Sequence, residues 1–300
     1  MSLLKGLNLK GKVLYNEPLC KHTTFRIGAP AKVWAEPQDL DDMISLLEIS
    51  KAEGPPIFLI GEGSNLLVSD EGLDIMAVSL RRSFNFLKIS DDKITSGAGC
   101  GLQKFILKTL GDGYSGLEFM AGIPGTVGGA IKMNAGSGLN GPWISNFIER
   151  LKVINHEGKT QYIEKRDLKF GYRESGLKGF IILEADFNLE GAKDKTVLLN
   201  EYERFLREKK SKQDLSTPSA GCVFKNPGGS NLSAGRLIEE CGFKGKKVGD
   251  AMVSDRHANF IVNLGNATFK DVTGLVELIR SEVDKKFGIK LETEIEIIAK

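Results

Sequence analysis

The chain has 300 residues, 41% of them hydrophobic and 27% charged, which excludes a disordered or collagen-like protein and leaves interior for more than one core. Forty-one basic residues against 39 acidic ones leave a net charge of +2, too balanced for nucleic acid or an anionic membrane to be the main partner. No apolar run approaches the roughly 18 residues of a membrane span, so no membrane insertion is expected.

Asp39 to Ala52 carries apolar residues at Leu40, Met43, Ile44, Leu46 and Leu47 behind an acidic first turn, which predicts a helix stopped by Gly54-Pro55-Pro56. Ile57 to Ile60 reads as a short buried strand. Further strands are predicted at Ile75 to Leu80, Phe84 to Ile89 and Ile94 to Ser96, before a helix from Leu102 to Leu110. Ile148 to Asn155 and Thr160 to Ile163 flank Glu157-Gly158, a hairpin signal, and Phe180 to Leu189 continues that sheet. From Lys193 to Asp214 the chain is strongly charged with an apolar stripe of Tyr202, Phe205 and Leu206, which predicts a surface helix joining two halves. Beyond it, Ser233 opens a helix to Cys241, Asn259 to Leu264 is a strand, Lys270 to Phe287 an amphipathic helix and Leu291 to Ile298 a last strand. Helices and strands are interspersed rather than strictly alternating, which argues for an α+β fold over a doubly wound sheet.

Cys20, Cys100, Cys222 and Cys241 are far apart with no CxxC pair, which fits a reducing cytoplasm. His22, His156 and His257 are too scattered for a metal site, and none is expected. Glycine is the anomaly: 35 residues, roughly 12% against a usual 7% or so, with 13 between Gly97 and Gly141. Gly97-Ala98-Gly99-Cys100-Gly101-Leu102 sits between a strand and a helix like a dinucleotide loop. The last position of GxGxxG is Leu102, however, so the segment is read as a structural turn.

Two other stretches suit a ligand better. Gly61-Glu62-Gly63-Ser64-Asn65 follows an apolar strand and permits an anion nest. In Gly122-Ile123-Pro124-Gly125-Thr126-Val127-Gly128-Gly129-Ala130, Thr126 suits the cap of a helix running towards Met133, whose start could receive a phosphate. Close backbone packing is the competing reading. Together the loops suggest a ligand with an extended phosphate-bearing spine.

The remaining candidates are ambiguous on local grounds. Arg173 reads by default as a surface arginine, and His257 as a hydrogen-bonded structural histidine or a base. Cys222 reads as a small buried hydrophobe unless neighbouring Lys225 and Asn226 bind an anion. Glu292, Glu294 and Glu296 share one face of the last predicted strand, with Ile295 and Ile297 on the other, so a solvated face is the plain expectation for Glu294.

Taken together, Glu17-Pro18-Leu19 and Thr23-Thr24-Phe25-Arg26-Ile27-Gly28, Gly61 to Leu67, Gly122 to Ala130 with Met133-Asn134-Ala135-Gly136, Tyr172-Arg173, Ser219 to Pro227, Ala234 to Glu239 and His257 to Asn263 resemble one family. It is the flavin-dependent UDP-N-acetylenolpyruvoylglucosamine reductases of peptidoglycan synthesis, in their compact form lacking an extra capping loop. The resemblance implies a two-subdomain FAD-binding module of the PCMH or vanillyl-alcohol-oxidase-like type, about residues 25–192, with subdomains 1–75 and 76–192. A C-terminal substrate-binding domain would cover 193–300.

It further implies bound FAD, with Gly61, Gly63, Ser64, Asn65 and Leu66 as one wall and Gly122, Ile123, Pro124, Gly125, Thr126, Gly128 and Gly129 as the other. NADPH would be the co-substrate, and hydride would pass by way of the flavin to the enolpyruvyl ether of a UDP-sugar, giving UDP-N-acetylmuramate. Arg173 and Glu294 would stabilise charge on the substrate carboxylate, a role that suits a neutral Glu294, and Cys222 would donate the proton. Tyr172, Arg173, Lys225 and Asn226 would lie near substrate. Many relatives carry serine at the donor position. The thiol here, ordinarily with a pKa of about 8.5, is the stronger acid. Ser137 to Trp143 also departs from the family pattern. A cytoplasmic monomer is the expected form. The competing readings are another FAD-dependent oxidase or dehydrogenase of the same superfamily and a non-catalytic nucleotide-sugar binding protein.

Overall fold

The computed structural model describes residues 9–52, 54–90, 93–228 and 231–299. The chain packs into two units that are not contiguous in sequence. One takes the chain up to Glu17 with Ala31–Gly61 and Asp74–Leu206; the other takes Pro18–Pro30, Glu62–Leu73 and the chain from Arg207 on.

In the first unit a four-stranded sheet runs in the order Lys12–Pro18, Pro30–Glu36, Leu73–Val78, Ile57–Leu59. Helix Leu40–Lys51 covers it, burying Met43, Leu46 and Leu47 among Val33, Ala35, Met76 and Val78. Burying each such side chain contributes about 1.5–3 kcal/mol. The helix starts where Asp39 accepts from the Asp42 N–H at 3.0 Å, and the buried Asp42 carboxylate in turn accepts from the N–H groups of Gln38 and Gly11, both at 2.8 Å. A five-stranded antiparallel sheet follows, ordered Leu87–Ser90, Lys93–Gly97, Phe180–Phe187, Ile148–Asn155, Thr160–Glu164. Helix Leu102–Gly111 buries Phe105 against Phe187, ring centroids 4.7 Å apart.

In the second unit the antiparallel order is Ser219–Cys222, Phe260–Asn263, Ala251–Val253, Lys247–Val248. Helices Ala234–Glu240 and Phe269–Phe287 supply Leu237, Ile238, Leu275 and Ile279 to its core. The long helix opens on a reciprocal cap between Thr268 and Asp271 and ends at Gly288, whose φ of 68° suits glycine. Phe25, Ile27 and Leu67, early in the chain, fill the same core. The Asn263 amide fixes the first of these by donating to the Phe25 carbonyl at 2.9 Å. Leu66–Val68 pairs in parallel with Glu296–Ile298.

These elements make an α+β fold, and the predicted helices stand close to their expected bounds. The end of the chain differs. Only Glu296–Ile298 is strand, because Thr293 bridges to Phe224 while the Glu294 and Ile295 N–H groups both reach the Val223 carbonyl, at 2.7 and 3.5 Å. The period-two alternation is thereby broken, leaving Ile295 buried and Ile297 37% exposed. The strand expected from Phe84 begins only at Leu87. All four cysteines are free thiols. No helix among the described residues is long and apolar enough to cross a membrane, and no group of three or more His, Cys, Asp or Glu among them could hold a metal ion.

Asp186 ties the five-stranded sheet together. It is 5% exposed, accepts from Thr95 Oγ1 and Arg150 Nε, each at 2.6 Å, and pairs with Lys93 Nζ at 3.3 Å. Burial alone would push its carboxyl up, but the bonds from Thr95, Arg150 and Lys93 outweigh that and hold it below the usual carboxylate range. A carboxyl lowered by folding stabilises the native state above its unfolded pKa of about 3.9, and the contribution disappears as pH falls through the native value. Asp186→Asn is expected to cost about 1–3 kcal/mol at neutral pH and to flatten the loss of stability below about pH 4. Urea midpoints measured from pH 7 to pH 2 check this, and parallel profiles for the two proteins would contradict it.

Candidate active site

The first unit builds a cradle of bare backbone. Segment 97–102 is its pedestal. A Cβ on Gly97 would lie 2.2 Å from the Phe84 carbonyl oxygen, and one on Gly99 2.1 Å from that of Leu80, so these glycines exist for packing, as the structural-turn reading expects. The loop above is bonded to them: Leu102 N donates to Gly125 O (2.8 Å), Val127 N to Cys100 O (2.9 Å) and Gly128 N to Ala98 O (2.8 Å). Gly128 is likewise a packing glycine, since its Cβ would meet that of Ala98 at 2.8 Å. Gly129 is different. It is exposed, with only Thr126 Oγ1 near its Cβ position.

Thr126 caps helix Val127–Lys132 by accepting from Gly129 N at 3.2 Å. A Cβ on Gly61 would stand 2.8 Å from Thr126 Oγ1, so Gly61 and the 122–129 loop lie directly against each other. Gly122 and Gly125 have φ of 71° and 126°, and Pro124 is exposed. Bare, outward-facing backbone along two apposed loops fits the pyrophosphate spine of FAD, and any larger residue at Gly61 would close the approach.

Tyr172 and Arg173 sit on a tight turn closed by reciprocal bonds between Gly171 and Glu174. Arg173 has a left-handed φ of 58°, lies over the Tyr172 ring at 5.1 Å and donates from Nη2 to the Gly136 carbonyl at 3.3 Å. The turn is held by Asn134, buried and itself at φ 42°, whose amide donates to Gly171 O at 2.8 Å. The divergent Ser137 to Trp143 segment folds back on itself, with Ser137 N bonded to Pro142 O, so Gly136 stands at the base of a closed loop.

The second unit brings the other predicted residues together. Gly63, at φ 63°, packs against His22 and Thr23, and its carbonyl accepts from Thr24 N at 3.2 Å. Ser64 is half-buried beside it and Leu66 opens a buried strand. The Asn65 side chain donates to the Glu294 carbonyl at 3.1 Å, so it serves the protein's own backbone. Gly221, at φ 75°, lies in a bulge that turns Cys222 out to partial exposure. Lys225 N donates to Glu292 O at 2.9 Å, and its ammonium lies 3.5 Å from the Glu292 carboxylate. The Asn226 side-chain oxygen accepts from Ala234 N at 3.0 Å. Cys222, Lys225 and Glu294 therefore belong to two short segments bonded along their length.

Asn259 supports this arrangement. It is 4% exposed, accepts from Phe224 N at 2.9 Å and donates to Phe224 O at 2.8 Å, while its own carbonyl takes Val223 N at 2.8 Å. His257, the candidate base, lies two residues earlier. That ring accepts from Asn259 N at 3.2 Å and stands over Phe260, and burial, with Lys244 nearby, lowers its pKa. It is a structural histidine. The available signal was an asparagine beginning an otherwise apolar buried strand, where an amide has to find partners.

The chain is similar to known proteins over nearly its full length. The profile of an FAD binding domain matches residues 31–163, and that of the UDP-N-acetylenolpyruvoylglucosamine reductase C-terminal domain matches 213–298. The UDP-N-acetylenolpyruvoylglucosamine reductase of Caldanaerobacter subterraneus subsp. tengcongensis is 40% identical over 297 residues, covering 98% of this chain and 96% of that protein. The enzyme of the same name from Alkaliphilus oremlandii is 39% identical over 289 residues, covering 95% and 93%. The crystal structure of UDP-N-acetylenolpyruvylglucosamine reductase from Thermus caldophilus superposes with a TM-score of 0.81 at 36% identity, covering 97% of this chain and all of that one. With relatives matched over nearly the full length and an FAD binding domain profile over residues 31–163, the chain belongs to the UDP-N-acetylenolpyruvoylglucosamine reductase family of FAD-dependent oxidoreductases.

Proposed function

We propose that this chain reduces UDP-N-acetyl-3-O-(1-carboxyvinyl)-glucosamine to UDP-N-acetylmuramate, with NADPH as the electron source, as a step in making peptidoglycan precursors. The observation that carries this reading is the pair of bonded segments holding a thiol, an ammonium and a carboxyl, Cys222, Lys225 and Glu294, on one buried amide support. Family membership supports it. We assign residues 1–75 and 76–192 to two flavin-binding subdomains, the flavin module itself running from about residue 25 to 192, and residues 193–300 to substrate binding.

FAD, when bound, accepts a hydride and passes it on. Gly61 and the Gly122 to Gly129 loop of the first unit would hold it, and Gly63, Ser64, Asn65 and Leu66 of the second unit are assigned as further cofactor-binding residues. Once hydride adds to the substrate's methylene carbon, the π pair moves onto the neighbouring carbon and its carboxylate. Arg173 offsets that charge, and Glu294 strengthens the effect by hydrogen bonding. The Cys222 S–H then protonates the neighbouring carbon, giving the lactyl ether, and the thiolate left behind recovers its proton from water. Tyr172, Lys225 and Asn226 serve substrate binding, with Lys225 facing the anionic portion.

Two sets of variants separate these roles under anaerobic conditions. Cys222→Ala is expected to let NADPH bleach the flavin band near about 450 nm at the normal rate, yet to slow reoxidation by the enolpyruvyl substrate by roughly 100-fold or more. Cys222→Ser retains substantial turnover, and full turnover in the alanine variant would remove Cys222 from the mechanism. For Arg173→Ala and Glu294→Gln, losses of roughly 100-fold are expected in the second half-reaction alone. A selective loss of flavin reduction by NADPH would contradict their assignment.

A further inference from the structure

Gln103, on the first turn of helix Leu102–Gly111, has every hydrogen-bonding capacity of its amide in use. Its Nε2 donates to the Met120 carbonyl at 3.1 Å and to the Ile123 carbonyl at 2.8 Å. Its Oε1 accepts from the Gly122 N–H at 3.0 Å and from the Tyr202 hydroxyl at 2.8 Å. The orientation follows from the partners. With oxygen and nitrogen exchanged, an NH2 group would face the Gly122 N–H and an oxygen would face two carbonyls.

Three of the four bonds go to one backbone stretch, the entry to the glycine cradle, where Gly122 adopts its positive φ of 71°. The fourth reaches a tyrosine far along the chain. Tyr202 is 8% exposed, on helix Lys195–Lys212, and burial pushes its phenol up, so it stays a donor at neutral pH. Neither residue belongs to a glycine motif or to the proton-transfer set. A side chain that both donates to and accepts from one loop fixes the loop's shape as well as its place, and a second donor on its oxygen locks the amide's direction.

We propose that Gln103 and Tyr202 are a positioning pair that holds the 120–123 backbone in its flavin-binding shape and so sets the affinity for FAD, with Tyr202 acting through Gln103. This rests on the assignment of the Gly122 to Gly129 loop to FAD. Since the pair touches the loop only from the side of the fold, its effect falls on cofactor binding and on the flavin's surroundings rather than on proton transfer.

The test is titration of the flavin-stripped full chain with FAD, followed by fluorescence quenching and by the visible spectrum of the bound flavin, for wild type, Tyr202→Phe, Gln103→Leu and the double variant. Tyr202→Phe keeps the buried ring and is expected to raise the Kd for FAD roughly fivefold, the effect of one hydrogen bond. Gln103→Leu, which leaves two carbonyls and an N–H unsatisfied, raises it roughly 100-fold and shifts the flavin band. The double variant matches Gln103→Leu alone, since Tyr202 has no route to the loop without the amide. Unchanged Kd in both single variants, even with lowered thermal stability, would overturn the proposal and leave a purely structural contact; so would full additivity in the double variant. A wild-type chain that takes up no FAD would instead overturn the flavin assignment itself, and the inference with it.

Discussion

The cradle loop is held by backbone alone. Three N–H···O bonds join residues 98–102 to residues 125–128, and the two strips approach so closely that no Cβ is tolerated at Gly128, where it would meet Ala98. A ladder of this kind is short and rigid, and its partners have few alternative states. It fixes where Thr126 caps its helix, and hence where Gly61 comes to rest against the threonine. The bare edge at Gly129 is outward because the edge at Gly128 is inward. Bulk anywhere along the strip would displace the whole loop rather than one side chain.

The second unit solves a similar problem with one amide. The bulge at Gly221 breaks the register between Ser219–Cys222 and Phe260–Asn263, which would leave the following backbone groups without ladder partners. Asn259 replaces them, its side chain accepting from and donating to Phe224 as a neighbouring strand would. The loop can therefore leave the sheet and present Cys222 without sacrificing hydrogen bonds, and the same segment is free to bond with residues 292–294 on its other side. A partly exposed thiol thus sits on irregular backbone that is as well tied as a strand.

Much of this was legible in advance, for local reasons. Asp39, Thr126 and Ser233 announce helix starts because capping depends on residues only two or three apart. The Glu157-Gly158 hairpin is readable on the same terms. What could not be read depends on distant partners. Leu291 to Ile298 alternates like one strand but pairs first with residues 223–225 and then with Leu66–Val68, so its pattern reports two environments. Lys12–Pro18 and Pro30–Glu36 carry prolines and mixed polarity that hide them. At the site, the motif residues were visible, whereas Gln103, Asn134 and Asn259 were not marked out as supports. Amides bonded to backbone have no periodicity, and a glycine that packs looks in sequence like a glycine that faces a ligand.

The pairing of Leu66–Val68 with Glu296–Ile298, reinforced by the bond from Asn65 to the Glu294 carbonyl across 229 positions, also governs when the protein can become whole. Chain emerging from the ribosome carries residues 18–30 and 62–73 long before the partners that bury Phe25, Ile27 and Leu67 exist. The first unit holds nearly all of its partners by residue 206, so it can mature during translation. The second is obliged to wait for residue 298, with hydrophobic segments exposed in the meantime. Closing loops of that length places its assembly among the slow, non-local folding steps.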